Sequence, residues 1–114
     1  MALTEQNFTM YQGEDKLVTF VITDEDEAAL NMTGGTLSWE ASITSLDTTA
    51  QITKTPSLVN VDGTNDGARV TLVDADTQTL TPLIYYHELR LVDGSGNDSV
   101  LAEGEMTVKL STTK

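Results

Sequence analysis

The chain has a single histidine, His87, and no cysteine, and those two facts bound its chemistry. Nucleophilic catalysis needs a base to activate the nucleophile. His87 lies within Ile84 to Val92 (IYYHELRLV) on the same strand face as Leu89 and Leu91, a position that reads as a packed structural histidine. No G-x-S-x-G elbow accompanies it, and no second histidine exists to complete a zinc site. Without cysteine there is neither a disulfide nor a thiolate metal site.

Carboxylates are the remaining candidates. Four adjacent ones, Asp24, Glu25, Asp26 and Glu27, cannot be buried unpaired, so they read as a solvated turn, with a cation site as the alternative. Asp62-Gly63-Thr64-Asn65-Asp66-Gly67 partly echoes a calcium loop, with carboxylates at the first and fifth positions and glycine at the sixth. Thr64 stands where Asp or Asn is expected and Val73 where a bidentate Glu is needed, and a tight turn between strands explains the residues equally well. Weak cation binding at Asp62 and Asp66, or at Asp24 and Asp26, stays open. Gly94-Ser95-Gly96 reads as a hairpin loop without the helix that would cradle phosphate. The sequons at Asn7, Asn31 and Asn97 matter only in a eukaryotic secretory pathway. The expectation is no catalytic, cofactor-binding or metal residue, no cofactor and no small-molecule substrate.

These residues sit on a strongly acidic chain. Its 114 residues carry 18 Asp and Glu against 6 Lys and Arg, a formal charge of −12, which repels nucleic acid and anionic lipid and favours solubility. The start, MALTEQNFTM, has no basic segment followed by an apolar one, and no apolar stretch approaches the ~18 residues of a membrane span. Neither nucleic acid nor membrane is expected as a partner.

The elements that would position these side chains are short and Thr-rich, with Val, Ile, Leu and Tyr broken by Gly, Asp and Asn, which favours strands joined by polar turns. Phe8 and Met10 share one side of a first short strand. Lys16 to Thr23 has apolar residues on both faces, Val18, Phe20 and Ile22 against Leu17 and Val21, and so reads as a well-covered central strand. Thr36 to Ser42 places Leu37, Trp39 and Ala41 together, with Trp39 as core anchor. Ile43 to Thr55 reads as a loop with a short edge strand around Ile52, Pro56 marking an edge, and Leu58 to Val61 as another short strand. Ala68 to Val73 points Val70 and Leu72 inward. Asp74 to Leu80 reads as one helical turn capped by Asp74. In Ile84 to Val92, Tyr85, His87, Leu89 and Leu91 share a face, and Ser99 to Leu110 closes the core with Val100, Ala102, Met106, Val108 and Leu110. About seven strands at regular spacing predict an all-β, antiparallel two-sheet sandwich filling one domain over 1–114, with flexible or partner-docking ends at about 1–8 and 111–114. Trp39 in the third strand and Leu80, Pro82 and Tyr85 entering the penultimate one, like a tyrosine corner, point to the immunoglobulin-like form without its disulfide.

Tyr11-Gln12-Gly13-Glu14-Asp15, the Leu30 to Thr36 segment LNMTGGT, Leu72 to Leu80 (LVDADTQTL) and YHELRLVDGSGN…VLAEGEMTV resemble immunoglobulin-like domains of tailed-phage virion proteins, and are similar to the N-terminal domain of phage baseplate upper proteins. The resemblance spans roughly residues 9–110. Asn31-Met32 departs from that group's usual Asp-Leu, and Leu83 or Ile84 replaces its glycine. It implies a non-enzymatic virion component, assembled in the host cytoplasm, that docks on other virion proteins of the tail, baseplate, neck or head, with a homo-oligomer as a further option. The alternative is a host-surface attachment module that binds carbohydrate or protein, which exposure of Tyr11 or Tyr86 would favour.

Overall fold

The computed structural model describes residues 4–43 and 50–110. The stretch Thr36–Ser42 shows how the sequence sets the architecture: Leu37, Trp39 and Ala41 are buried, while Thr36 and Glu40 face water. Such a period-two strand hides one face and hydrates the other, and needs a second sheet to cover the hidden side.

In chain order the strands are β1 (Thr4–Glu5), β2 (Phe8–Tyr11), β3 (Lys16–Val21), β4 (Thr36–Ser42), β5 (Ile52–Lys54), β6 (Ser57–Val59), β7 (Gly67–Leu72), β8 (Ile84–Val92) and β9 (Asp98–Lys109), with a one-turn helix, α1 (Asp74–Thr77), between β7 and β8. One sheet has the order β3-β7-β6; the other runs β1-β9-β8-β4-β5, with β2 also on β9. Because β1 and β2 occupy successive stretches of the same β9 edge, this larger sheet has five strand positions. The result is a two-sheet β-sandwich. β5 is the short edge strand expected around Ile52, while β1, two residues long, is too short to carry a periodic signal. The pairing is not wholly antiparallel: β1 and β2 run parallel to β9.

The core lies between the sheets, built around Trp39, Tyr85, Phe20, Met10 and Ile22, all buried. Tyr85 forms the corner that its spacing predicts, its hydroxyl donating to the Thr81 carbonyl at 2.8 Å.

Several expectations need correcting. Among the described residues β3 pairs only with β7 and is an edge strand; its second apolar face is not covered by them, Leu17 and Val21 being exposed. In β9 the register against β8 shifts between Leu89 and Arg90, from Ala102 to Val100. This bulge leaves Leu101 without an opposite residue and switches the alternation, so Leu101 is buried and Val100 only half-buried. Leu110, expected inward, lies beyond the strand and is exposed. The helix cap is Val73 rather than Asp74. The Val73 N–H donates to Asp76 Oδ2 at 2.8 Å, and the Asp74 N–H finds Asp15 Oδ1 at 2.8 Å. Residues 44–49, within the predicted Ile43 to Thr55 loop, and the tail from Ser111 to Lys114 lie outside the described residues.

Candidate interaction face

His87 occupies the register its pattern predicts and is buried. The Trp39 indole N–H can only donate, and it lies 3.2 Å from His87 Nδ1. Nδ1 therefore accepts, Nε2 carries the proton, and that N–H donates to the Gln6 carbonyl at 2.6 Å. The rings of Phe8, Phe20 and Trp39 lie 5.1, 5.7 and 5.7 Å from the imidazole. Burial holds its pKa below the ordinary histidine value, opposed in part by the Gln6 hydrogen bond. Both nitrogens are thus committed to structural bonds in the neutral state.

The same bond explains the break between β1 and β2. There the Gln6 carbonyl is taken up by His87, and the Glu105 N–H is satisfied instead by Asn7 Oδ1 at 2.8 Å. Gly104 makes room for this kink: a Cβ there would collide with the Gln6 backbone. The sequon residue Asn7 is therefore a structural acceptor.

The acidic turns are ordered by their own backbone. Asp24 Oδ1 accepts from the Asp26 and Ala28 N–H groups at 2.8 and 3.0 Å. Asp93 Oδ1 does the same for Ser95 and Asn97, both at 2.9 Å, and these bonds depress the Asp93 pKa. Asp66 turns into the protein and is fully buried. Burial pushes its carboxyl up, but backbone N–H groups, foremost those of Val61 and Asp62 at 3.0 and 3.2 Å, hold it below the usual carboxylate range. Asp62 stays exposed. Among the described residues no three His, Asp or Glu side chains converge as a metal site.

What the sheet register does bring together is a row of glutamates. Glu40 pairs with Glu88 across β4 and β8, and Glu88 with Glu103 across β8 and β9, so the three share the outward face of the larger sheet on one rung. Like charges directly opposite destabilise a sheet. Relief comes from Arg90, whose Nε lies 2.6 Å from Glu88 Oε1 and whose guanidinium also reaches Asp98 at 2.9 Å. On the same face stand Ile84, Tyr86 and Tyr11, exposed by 44%, 40% and 48%, with Glu105 opposite Tyr86. The sequence reading missed this rung, because its members are far apart in the chain and only register unites them. The one local signal is the alternation of Tyr86, Glu88 and Arg90 away from the core.

The fold and this face define a cysteine-free β-sandwich with a charged and aromatic sheet surface. No family model matches the chain, and no curated protein matches it. Among solved structures it is similar to part of a sialyltransferase from Photobacterium damsela, at 10% identity and a TM-score of 0.42, covering 95% of this chain and 18% of that one. It is also similar to part of a family 123 glycoside hydrolase from Clostridium perfringens, at 12% identity and a TM-score of 0.45, covering 100% of this chain and 24% of that one. The chain thus spans under a quarter of the length of either. Among the described residues no helix is long and apolar enough to cross a membrane.

Proposed function

We propose that the chain is a non-enzymatic structural component of a tailed-phage virion that docks on other virion proteins through the outward face of its larger sheet. The observation that carries the docking role is that face itself, where the Glu40, Glu88 and Glu103 rung adjoins exposed Ile84 and Tyr86. A surface with apolar anchors inside a charged field recognises a complementary protein surface, and the sign of the rung calls for Lys and Arg on the partner. The virion setting rests on the motifs that resemble baseplate domains, including Tyr11 to Asp15 and Tyr86 to Arg90.

Immunogold electron microscopy of purified particles tests it. Label over the head marks a decoration protein, and label at the tail tip or neck a docking subunit. Unlabelled particles, with the epitope shown accessible, overturn the virion assignment. Glu40→Lys with Glu88→Lys and Glu103→Lys should abolish incorporation while leaving the fold intact.

A second reading, a host-surface attachment module, gains from the exposure of Tyr11 and Tyr86, since exposed rings beside polar groups suit sugar stacking. A glycan array distinguishes it: binding lost in Tyr11→Ala and Tyr86→Ala supports attachment, and a blank array removes it.

A further inference from the structure

Among the described residues the two sheets end in four edges, and three of them are short or broken in a way that discourages pairing with another strand. β5 and β6 have three residues each, and Pro56 precedes β6. The β1 and β2 edge is broken at Gln6 and Asn7. β3 is the least protected: it runs six residues without proline or bulge, and its one charge, Lys16, stands at its first position. The Ile22 N–H donates to the Asp66 carbonyl at 2.8 Å, one step beyond the Val21 and Gly67 pair. Antiparallel alternation then turns the N–H and C=O groups of Leu17, Thr19 and Val21 away from β7, toward the open edge. Leu17 and Val21 flank those groups with 61% and 38% of their surface exposed.

We infer that the β3 edge is an interface between two copies of this chain, paired antiparallel about Thr19. Two observations select a second copy as the occupant. The outward row Leu17, Thr19, Val21 reads apolar, Thr, apolar from either end, so a two-fold axis at Thr19 sets Leu17 against the partner's Val21 and Thr19 against its own copy. Charge gives the same answer. β3, β6 and β7 contain no Asp or Glu but do hold Lys16 and Arg69, so within these strands a second −12 chain meets no opposing carboxylate, and the repulsion is confined to the acidic residues that flank the joint. At the ends of the joint, Glu14 and Asp15 approach the partner's Asp24, and the dimer therefore tightens as salt screens them. Joining the edges makes one six-stranded sheet and leaves both glutamate faces free, which presents the proposed docking surface twice. The inference does not depend on that docking reading, because its test uses the isolated chain.

The test uses the absence of cysteine. Directly opposed residues in a hydrogen-bonded antiparallel pair sit about 5.5 Å apart at Cα, within disulfide range, so Thr19→Cys should oxidise to a covalent dimer. Thr53→Cys, on the β5 edge, should stay monomeric. In sedimentation velocity over a concentration series the wild-type chain should show a monomer–dimer equilibrium that shifts toward dimer with salt. Leu17→Lys should weaken it at least tenfold with an unchanged circular dichroism spectrum. A wild-type chain that is monomeric throughout the series at high salt overturns the inference, as does cross-linking of Thr53→Cys as readily as Thr19→Cys.

Discussion

At the scale of single residues, Trp39 and His87 act as a unit. Trp39 fills the centre of the core and its indole N–H fixes the tautomer that lets His87 hold the Gln6 carbonyl. Trp39→Ala should cost about 3–5 kcal/mol from lost burial and the cavity left behind, whereas Trp39→Phe keeps most of the volume and loses mainly the hydrogen bond. Chemical denaturation of the two variants separates these contributions. The depressed His87 pKa has a signed consequence. Near pH ~6.5 the unfolded chain binds a proton that the native chain refuses, so stability is greatest above that pH and falls as pH drops from there toward the native pKa. Melting temperatures measured between neutrality and mild acid should show this decline. His87→Phe should lower stability at neutral pH, because it orphans the Gln6 carbonyl and the Trp39 N–H, yet flatten that part of the profile. Tyr85→Phe, which removes only the bond to Thr81, should cost about 1 kcal/mol.

At the scale of elements, what could be read from the sequence depended on what each strand asks of its neighbours. β4 and β8 alternate strictly, so their sequences alone put Trp39, Tyr85 and His87 on the correct face. β3 misled because apolar residues on both faces usually mean a covered strand. Here Leu17 and Val21 face outward from an edge strand and are exposed. β9 looked regular, but its bulge moved Leu101 inward, a change set by pairing with β8 and carried by no residue type. The glutamate rung was invisible for the same reason: Glu40, Glu88 and Glu103 become neighbours only through register. The kink between β1 and β2 gives the sharpest test at this scale. Gly104→Ala puts a methyl group into the Gln6 backbone and should loosen the N-terminal strands. Hydrogen exchange should rise at Gln6 and Glu105, whose N–H groups are bonded across this junction, while β4 and β7 stay protected.

At the scale of the whole molecule, charge is unevenly shared between the two sheets. Glu40, Glu88, Glu103 and Glu105 stand on strands of the larger sheet, while the smaller one has no acidic residue in its strands. Self-repulsion at −12 opposes compaction, and adding salt should raise the melting temperature. Replacing Glu40 and Glu103 by Gln should raise it at low ionic strength and do little at high salt.

The strands that begin the described chain lie along the strand that ends it: Asn7 bonds to Glu105 across 98 positions of sequence. During synthesis on the ribosome, β1 and β2 emerge first and must wait without a partner until β9 has left the exit tunnel. Closing so long a loop is slow. Docking of β1 and β2 therefore has to follow the synthesis of β9, and nascent chains stalled before residue 98 should expose Phe8 and Met10 to chaperones.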